Sequence, residues 1–387
     1  MELENFERVL LLCLKNIVNN SKYEYEKLSA EEIKKLCYVA KKQDLSHLLY
    51  PYFEKYRCDC DVTIVKNFDN CKKNAIFRYI AQDQAYLEIQ ECFTENKIYF
   101  MPLKGIVLRK YYPESWMRTS GDIDILIQLG DFSKAKDLLT NVCGFVFEKQ
   151  DKKDATFTRG TVCLELHFYL IKDESQEEFS TKYIWENAIK DGYCCSMKDE
   201  DFYAYHMAHM KHHFETEGCG IRFFLDLWIL NHNILFNLEE RQKKLKRCRL
   251  YKFAVSSERL SEVWFGEKKH SELTKCMESY IFKSGLFGNV ENLACIQEIK
   301  SGSSIKRVLR RLWLSYDDLY WLYPQLEGKK YLQLYYEIKR FIDMIKDGRW
   351  SRTKHELQVN LNYNKEYKKM LGKMLKQLDL LDNEKNK

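Results

Sequence analysis

From residue 98 to about residue 170 the chain changes its period. On either side, apolar residues recur at intervals of three and four, the spacing of helices that bury one face. Inside it, short β-branched and aromatic runs at 98–101, 123–127, 145–147, 155–158 and 162–169 predict five strands. Two helices are expected between them, at 105–112 and 132–141, the second opened by Asp131 as N-cap. Ahead of the strands lie amphipathic stretches around 6–18, 30–40 and 45–56, and a long helix over 74–95 leads into them. Beyond them, helical periodicity resumes near Thr181 and continues through 202–214, 221–235, 271–282 and 304–321, so the C-terminal half is expected to be all helical. Only four prolines and fifteen glycines interrupt these patterns.

At 387 residues the chain exceeds the usual size of one hydrophobic core. The expected division is an N-terminal helical region at 1–74, an α/β core at 75–172 and a C-terminal helical domain at 173–387. With 45% hydrophobic and 31% charged residues, the composition is that of a folded soluble protein. No run of about eighteen apolar residues occurs, which excludes a membrane-spanning helix. The apolar run Val9 to Leu14 is short and flanked by acids, and reads as a helix rather than a signal. Fourteen cysteines without a C-x-x-C pair suit reduced, mostly buried thiols and a cytoplasmic location. The net charge of +6, on 63 basic and 57 acidic residues, says little about partners.

The stretch Gly121-Asp122-Ile123-Asp124-Ile125-Leu126-Ile127 carries the most chemistry. On a strand, residues two apart share a face about 6.5 Å apart, so Asp122 and Asp124 converge. Two carboxylates side by side at the start of an apolar strand repel, and a divalent cation is the usual reason to tolerate this. In Val162-Cys163-Leu164-Glu165-Leu166-His167-Phe168 the same alternation puts Glu165 and His167 on one face. Three carboxylates from two adjacent strands can hold two ions about 3.5–4 Å apart, the arrangement that clamps attacking and leaving oxygens in phosphoryl transfer. The competing reading is a turn with solvated acids.

Upstream, Pro102-Leu103-Lys104-Gly105-Ile106 follows a strand and opens a helix, where a glycine lets backbone amides approach a ligand and Lys104 can neutralise phosphate oxygens. Arg118, on the approach to the acidic strand, is a second cation placed for a triphosphate, or an ordinary surface arginine.

Taken together, Pro102-Leu103-Lys104-Gly105, Tyr112-Pro113, Arg118, Gly121-Asp122-Ile123-Asp124 and Glu165-Leu166-His167 resemble an uncharacterised nucleotidyltransferase family of the DNA polymerase beta superfamily. The resemblance covers roughly residues 95–235. It implies an α+β fold with a small mixed sheet and flanking helices. It also implies Mg2+ at paired acids, two ions with Mn2+ as an alternative, and transfer of a nucleoside monophosphate from a nucleoside triphosphate, ATP being favoured. The Gly-Ser pair usual on the superfamily's triphosphate turn is replaced by Lys104-Gly105.

Residues 205–214 hold four of the nine histidines, with His206, His209 and His213 on one helical face. His209 and His213 have the spacing of metalloprotease zinc ligands, but Met210 stands where that motif needs its glutamate. Structural packing and contact with phosphate or acceptor are the other readings. Likeness to the helical pair that follows the catalytic sheet in the resembled family favours contact, with His209, His212, Arg222 and Asp226 as matching positions. An i, i+4 pair between Arg222 and Asp226 is the plain alternative for those two.

The expected activity is therefore Mg2+-dependent nucleotidyl transfer to an acceptor hydroxyl. Asp122, Asp124 and Glu165 serve as metal-binding and catalytic carboxylates, and Lys104, Gly105, Arg118, Gly121, His167, His209 and His212 contact the nucleotide. A small-molecule acceptor is favoured. Basic runs at 241–252 and 306–311 keep nucleic acid open, since either can bind a polyanion, although a solvated helix face is the commoner meaning. A tRNA- or protein-modifying toxin and an inactive nucleotide-binding scaffold are the alternatives.

Overall fold

The computed structural model describes residues 3–151, 153–170, 179–216, 218–284, 290–301, 313, 314, 316, 319, 323–346 and 365–381. The N-terminal helices are α1 (Asn5–Val18), α2 (Ala30–Lys42), α3 (Tyr50–Lys55) and α4 (Val62–Glu95). A reciprocal capping box starts α2, with Ser29 accepting from the Glu32 amide and Glu32 accepting from the Ser29 amide. Asp61 caps α4 through the Thr63 amide. The expected start of this helix at 74 is corrected to Val62, and the domain boundary placed there falls within the helix.

Next come β1 (Phe100–Pro102), α5 (Lys104–Leu108), β2 (Ile123–Ile127), α6 (Phe132–Asn141), β3 (Val146–Gln150), β4 (Asp154–Arg159) and β5 (Val162–His167). Then follow α7 (Thr181–Asn187), β6 (Ile189–Asp191), β7 (Cys194–Ser196), α8 (Asp199–Thr216), α9 (Ile221–Asn233), α10 (Leu238–Arg247), α11 (Tyr251–Phe265) and α12 (Glu272–Ser284). The remaining described helices are α13 (Val290–Ser301), α14 (Gln333–Lys346) and α15 (Lys365–Gln377). The helix expected over 304–321 and the boundary at 172 lie outside the described residues or largely so.

The fold is α+β around a seven-stranded mixed sheet of order β3-β4-β5-β2-β1-β7-β6. The pairs β2–β5 and β1–β7 are parallel and the others antiparallel. The pair β6–β7 corrects the expectation of an all-helical C-terminal half. Its signal was short: Asp191 and Cys194 are partners across a two-residue turn in which Gly192 has φ +60, a conformation that favours glycine.

Strand alternation divides the core. Ile123, Ile125 and Ile127 of β2 pack with Ile89 and Phe93 of α4 and Ala135 and Leu139 of α6. Leu126 points the other way, into a larger cluster that joins Leu10 and Leu14 of α1, Phe224 of α9, Trp264 of α11 and Leu371 of α15. Asp124 has the parity of Leu126, so it faces the helical side of the sheet. The N- and C-terminal helices thus share one core over the face that carries the acids. No helix among the described residues is long and apolar enough to cross a membrane.

Candidate active site

The parallel register of β2 and β5 makes Asp124 and Glu165 lateral partners, with Leu126 opposite His167 two residues on. The imidazole reaches across the strands: His167 Nε2 lies 2.7 Å from Asp124 Oδ1 and 3.5 Å from Glu165 Oε2. Asp124 and His167 are buried, whereas Glu165 is partly open. Ligand atoms of Asp124, Glu165 and His167 all lie within 4.8 Å of one another, a compact set able to hold a metal ion. Two carboxylates with an imidazole suit a divalent first-row ion such as Mn2+, while the all-oxygen surroundings that Mg2+ prefers would draw on the carboxylates alone.

Asp122, expected among the ligands, stands just ahead of β2 and is outside this compact set. Burial pushes its carboxyl up to about 7; the charges of Asp124 and Glu165 add to the rise and Lys104 opposes it. For Asp124, burial disfavours the charge, but Lys104 and His167 outweigh it and hold the carboxyl well below the usual carboxylate range. Lys104 Nζ donates to Asp124 Oδ1 at 2.6 Å.

Lys104 is the first residue of α5 and has φ +45, left-handed backbone that a side chain other than glycine seldom adopts. Gly105 follows for a steric reason: a Cβ there would lie 2.9 Å from Ser120 Cβ. Close packing against Ser120 is thus one reason for a glycine here, beside the expected approach of its backbone to a ligand. Ser120 is in turn held by Gln82 of α4, whose amide donates to the Ser120 carbonyl and accepts from its hydroxyl, each at 3.2 Å. A Cβ on Gly121, by contrast, would meet nothing within 4 Å.

Arg118 is turned into the protein. Its Nε donates to Asp226 Oδ1 at 2.7 Å and its Nη1 to the Thr119 carbonyl at 2.5 Å, leaving the side chain 9% exposed. Tyr112 Oη donates to the same Asp226 oxygen at 2.6 Å. The Arg222–Asp226 pair, the plain alternative for those two residues, gives way to other partners: Arg222 Nη1 donates to Asp44 Oδ2 and to the Thr119 carbonyl, both at 3.1 Å. Burial and the neighbouring Arg118 charge push Arg222 down to about 10. Asp226 and Arg118 come from distant parts of the chain, and no local pattern announces their pairing.

His206, His209 and His213 share one face of α8, all three packing against Phe223 of α9. His209 and His213 approach Nε2 to Nε2 at 3.1 Å, and His212 is exposed. Burial lowers His213 to about 4, with further lowering from His212, Lys104, Arg222 and Lys153. His209 falls well below its ordinary value for the same first reason, helped by Lys104 and His213. The α8 face next to the acids thus presents imidazoles that burial and the neighbouring cations keep neutral. Among the described residues these histidines belong to no compact metal set.

Much of the first basic run is engaged within the protein. Arg241 lies over the Tyr203 and Phe236 rings, Lys244 is buried against Asp201 and Tyr183, and Lys243 and Lys252 pair with Glu239 and Asp379. The run at 306–311 lies outside the described residues.

A family described as uncharacterised nucleotidyltransferase matches the chain over residues 29–266. The chain belongs to that family. The match runs from the N-cap of α2 to the C-cap of α11, so this nucleotidyltransferase family includes N-terminal helices and the α8–α11 bundle as well as the sheet. The protein is accordingly a transferase. No curated protein and no solved structure matches it.

Proposed function

We propose that the protein transfers a nucleoside monophosphate from a nucleoside triphosphate, ATP being favoured, to the hydroxyl of a small-molecule acceptor in the cytoplasm, using Mg2+ or Mn2+ held by Asp122, Asp124 and Glu165. The observation that carries this reading is the pairing of Asp124 with Glu165 across parallel strands, with Lys104 on the same carboxylate. When bound, the metal neutralises charge on the reacting phosphate and on the departing pyrophosphate.

The acceptor oxygen forms its bond to the α-phosphorus as the bond to the bridging oxygen of pyrophosphate breaks. Glu165, the partly open carboxylate, is placed to take the acceptor's proton, which requires only that the hydroxyl lie against it. Asp124 is fixed by His167, so it presents its carboxylate without having to reorganise. Lys104, His209 and His212 supply positive or hydrogen-bonding groups for the triphosphate, and the open space over Gly121 admits it. Arg118 acts at one remove, holding the segment that leads to Asp122. The burial of Lys244 against Asp201 and the stacking of Arg241 on Tyr203 take two cations of the first basic run out of reach of a polyanion and favour a small acceptor over a nucleic acid. Fourteen cysteines without a disulfide among the described residues agree with a reducing compartment.

Calorimetric titration of non-hydrolysable triphosphate analogues with Mg2+ tests the reading. Binding that requires metal and is lost in Asp122→Ala/Asp124→Ala is expected. Absence of binding by the wild type to every triphosphate would leave a nucleotidyltransferase fold without the proposed site.

A further inference from the structure

Asp124 Oδ1 receives two donors, Lys104 Nζ at 2.6 Å and His167 Nε2 at 2.7 Å. The same carboxylate is one of the three side chains whose ligand atoms cluster within 4.8 Å. His167 belongs to that cluster. Lys104 does not: its ammonium has no lone pair to offer a metal and carries the charge that a metal would bring. Its placement is also specified by the backbone, because Lys104 holds φ +45 at the first residue of α5, with Gly105 behind it pressed against Ser120. Non-glycine residues in left-handed conformations persist where the surroundings fix them, and cluster at functional sites.

A tethered ammonium and a divalent ion cannot both sit against one buried carboxylate without strong repulsion. We propose that Lys104 is the resting occupant of the cation seat at Asp124, a built-in counter-ion that leaves when metal arrives and re-partners with the phosphates of the incoming nucleotide. This rests on the reading that Asp124 and Glu165 hold metal for a nucleoside triphosphate. It adds a linkage: metal alone must displace Lys104 and leave it beside a second cation, whereas metal with triphosphate provides Lys104 with a new anion. Metal and nucleotide therefore favour each other's binding through one side chain. The groups around the ammonium agree with this. The adjacent α8 face offers His209 and His213 rather than a carboxylate to receive it.

The test measures two affinities that this role moves in opposite directions. Free Mn2+ is followed by electron paramagnetic resonance in titrations of the wild type, Lys104→Met and Lys104→Arg, without nucleotide. Binding of a non-hydrolysable ATP analogue at saturating Mg2+ is measured by calorimetry on the same proteins. Lys104→Met should bind Mn2+ at least tenfold more tightly than the wild type and the Mg2+–analogue at least tenfold more weakly, while Lys104→Arg, which keeps the charge, should not gain Mn2+ affinity. A merely structural lysine would weaken both. Lys104→Gln is a second neutral variant should the methionine fail to fold, with circular dichroism as the check. Unchanged or weaker Mn2+ binding by folded neutral variants, with wild-type analogue binding intact, overturns the Lys104 inference and leaves the nucleotidyl-transfer reading standing. Absence of Mn2+ and analogue binding in all the proteins overturns both.

Discussion

Arg118 Nε and Asp226 Oδ1 meet at 2.7 Å although 108 residues separate them, tying the approach to the acidic strand to helix α9. Both side chains are nearly or fully buried, and Tyr112 donates to the same oxygen. Removing one member of such a pair leaves an uncompensated buried charge, which typically costs about 3–5 kcal/mol. Asp226→Ala should therefore destabilise the protein by about that amount in urea unfolding, and Arg118→Met/Asp226→Leu should recover a substantial part of it. Additive losses in the double variant would show that the two side chains do not act as a pair.

The two glycines of the site should respond differently to alanine. At Gly105 the new methyl meets Ser120 Cβ at 2.9 Å, an overpacked contact of the kind that costs about 1–3 kcal/mol, and Ser120→Gly should relieve it. At Gly121 nothing stands within 4 Å, so Gly121→Ala should keep its melting temperature and show its effect in triphosphate-analogue affinity. Equal melting temperatures for the two single variants would contradict the geometry.

His206 makes stability depend on pH. Burial lowers its folded pKa to about 4 from an ordinary 6.5; the Asp226 charge opposes this, while Arg118 adds to the lowering. Between these values the unfolded chain binds the proton and the folded one does not, so stability rises with pH across the window. The contribution is fully present above pH 6.5 and is lost as pH falls toward 4, on the order of 3 kcal/mol at most. His213 shifts the same way, so His206→Met should reduce rather than abolish the rise of unfolding free energy between those limits, and a slope equal to that of the wild type would show that His206 does not contribute. The Nε2 of His206 has no hydrogen-bond partner among the described residues, so replacement loses no contact at that atom.

Glu165 is the donor-set member with the most exposed side chain, at 31%. Glu165→Gln should hold its melting temperature within about 2 °C of the wild type, as expected for a partly open position away from packing. Its Mn2+ affinity should fall at least tenfold, since the amide offers a neutral oxygen where the cation needs a charge. Retained Mn2+ affinity would remove Glu165 from the proposed ligand set.

The legible parts of this protein are those whose cause is local. The bounds of β2 and α6 follow from alternation and periodicity within a few residues, and Glu165 and His167 share a face because a strand has period two. The lateral pairing of Asp124 with Glu165 needs the register between two strands, which no single strand encodes. The strand pair β6–β7 is only three residues on each side, too short for a periodic signal against the helices around it. Arg222 illustrates the opposite error: its helical spacing to Asp226 is real, yet Arg118 takes that carboxylate and Arg222 turns to Asp44. The steric need for glycine at 105 was not legible either, because sequence cannot show Ser120 lying over it.

The hydrophobic cluster that unites Leu10 and Leu14 with Trp264 and Leu371 bears on how the chain reaches its native state. During synthesis, α1 emerges first, and the α11 and α15 residues it shares this core with are not yet made. Its apolar face meets α2 early, but the part that packs on α9 and α11 must wait for partners translated about two hundred residues later, a long-range topology that slows folding and leaves sticky surface uncovered meanwhile. The sheet can form earlier on the side of α4 and α6, but Asp124 faces the other side, where the late helices close. The site should therefore be among the last parts of the molecule to assemble on the ribosome.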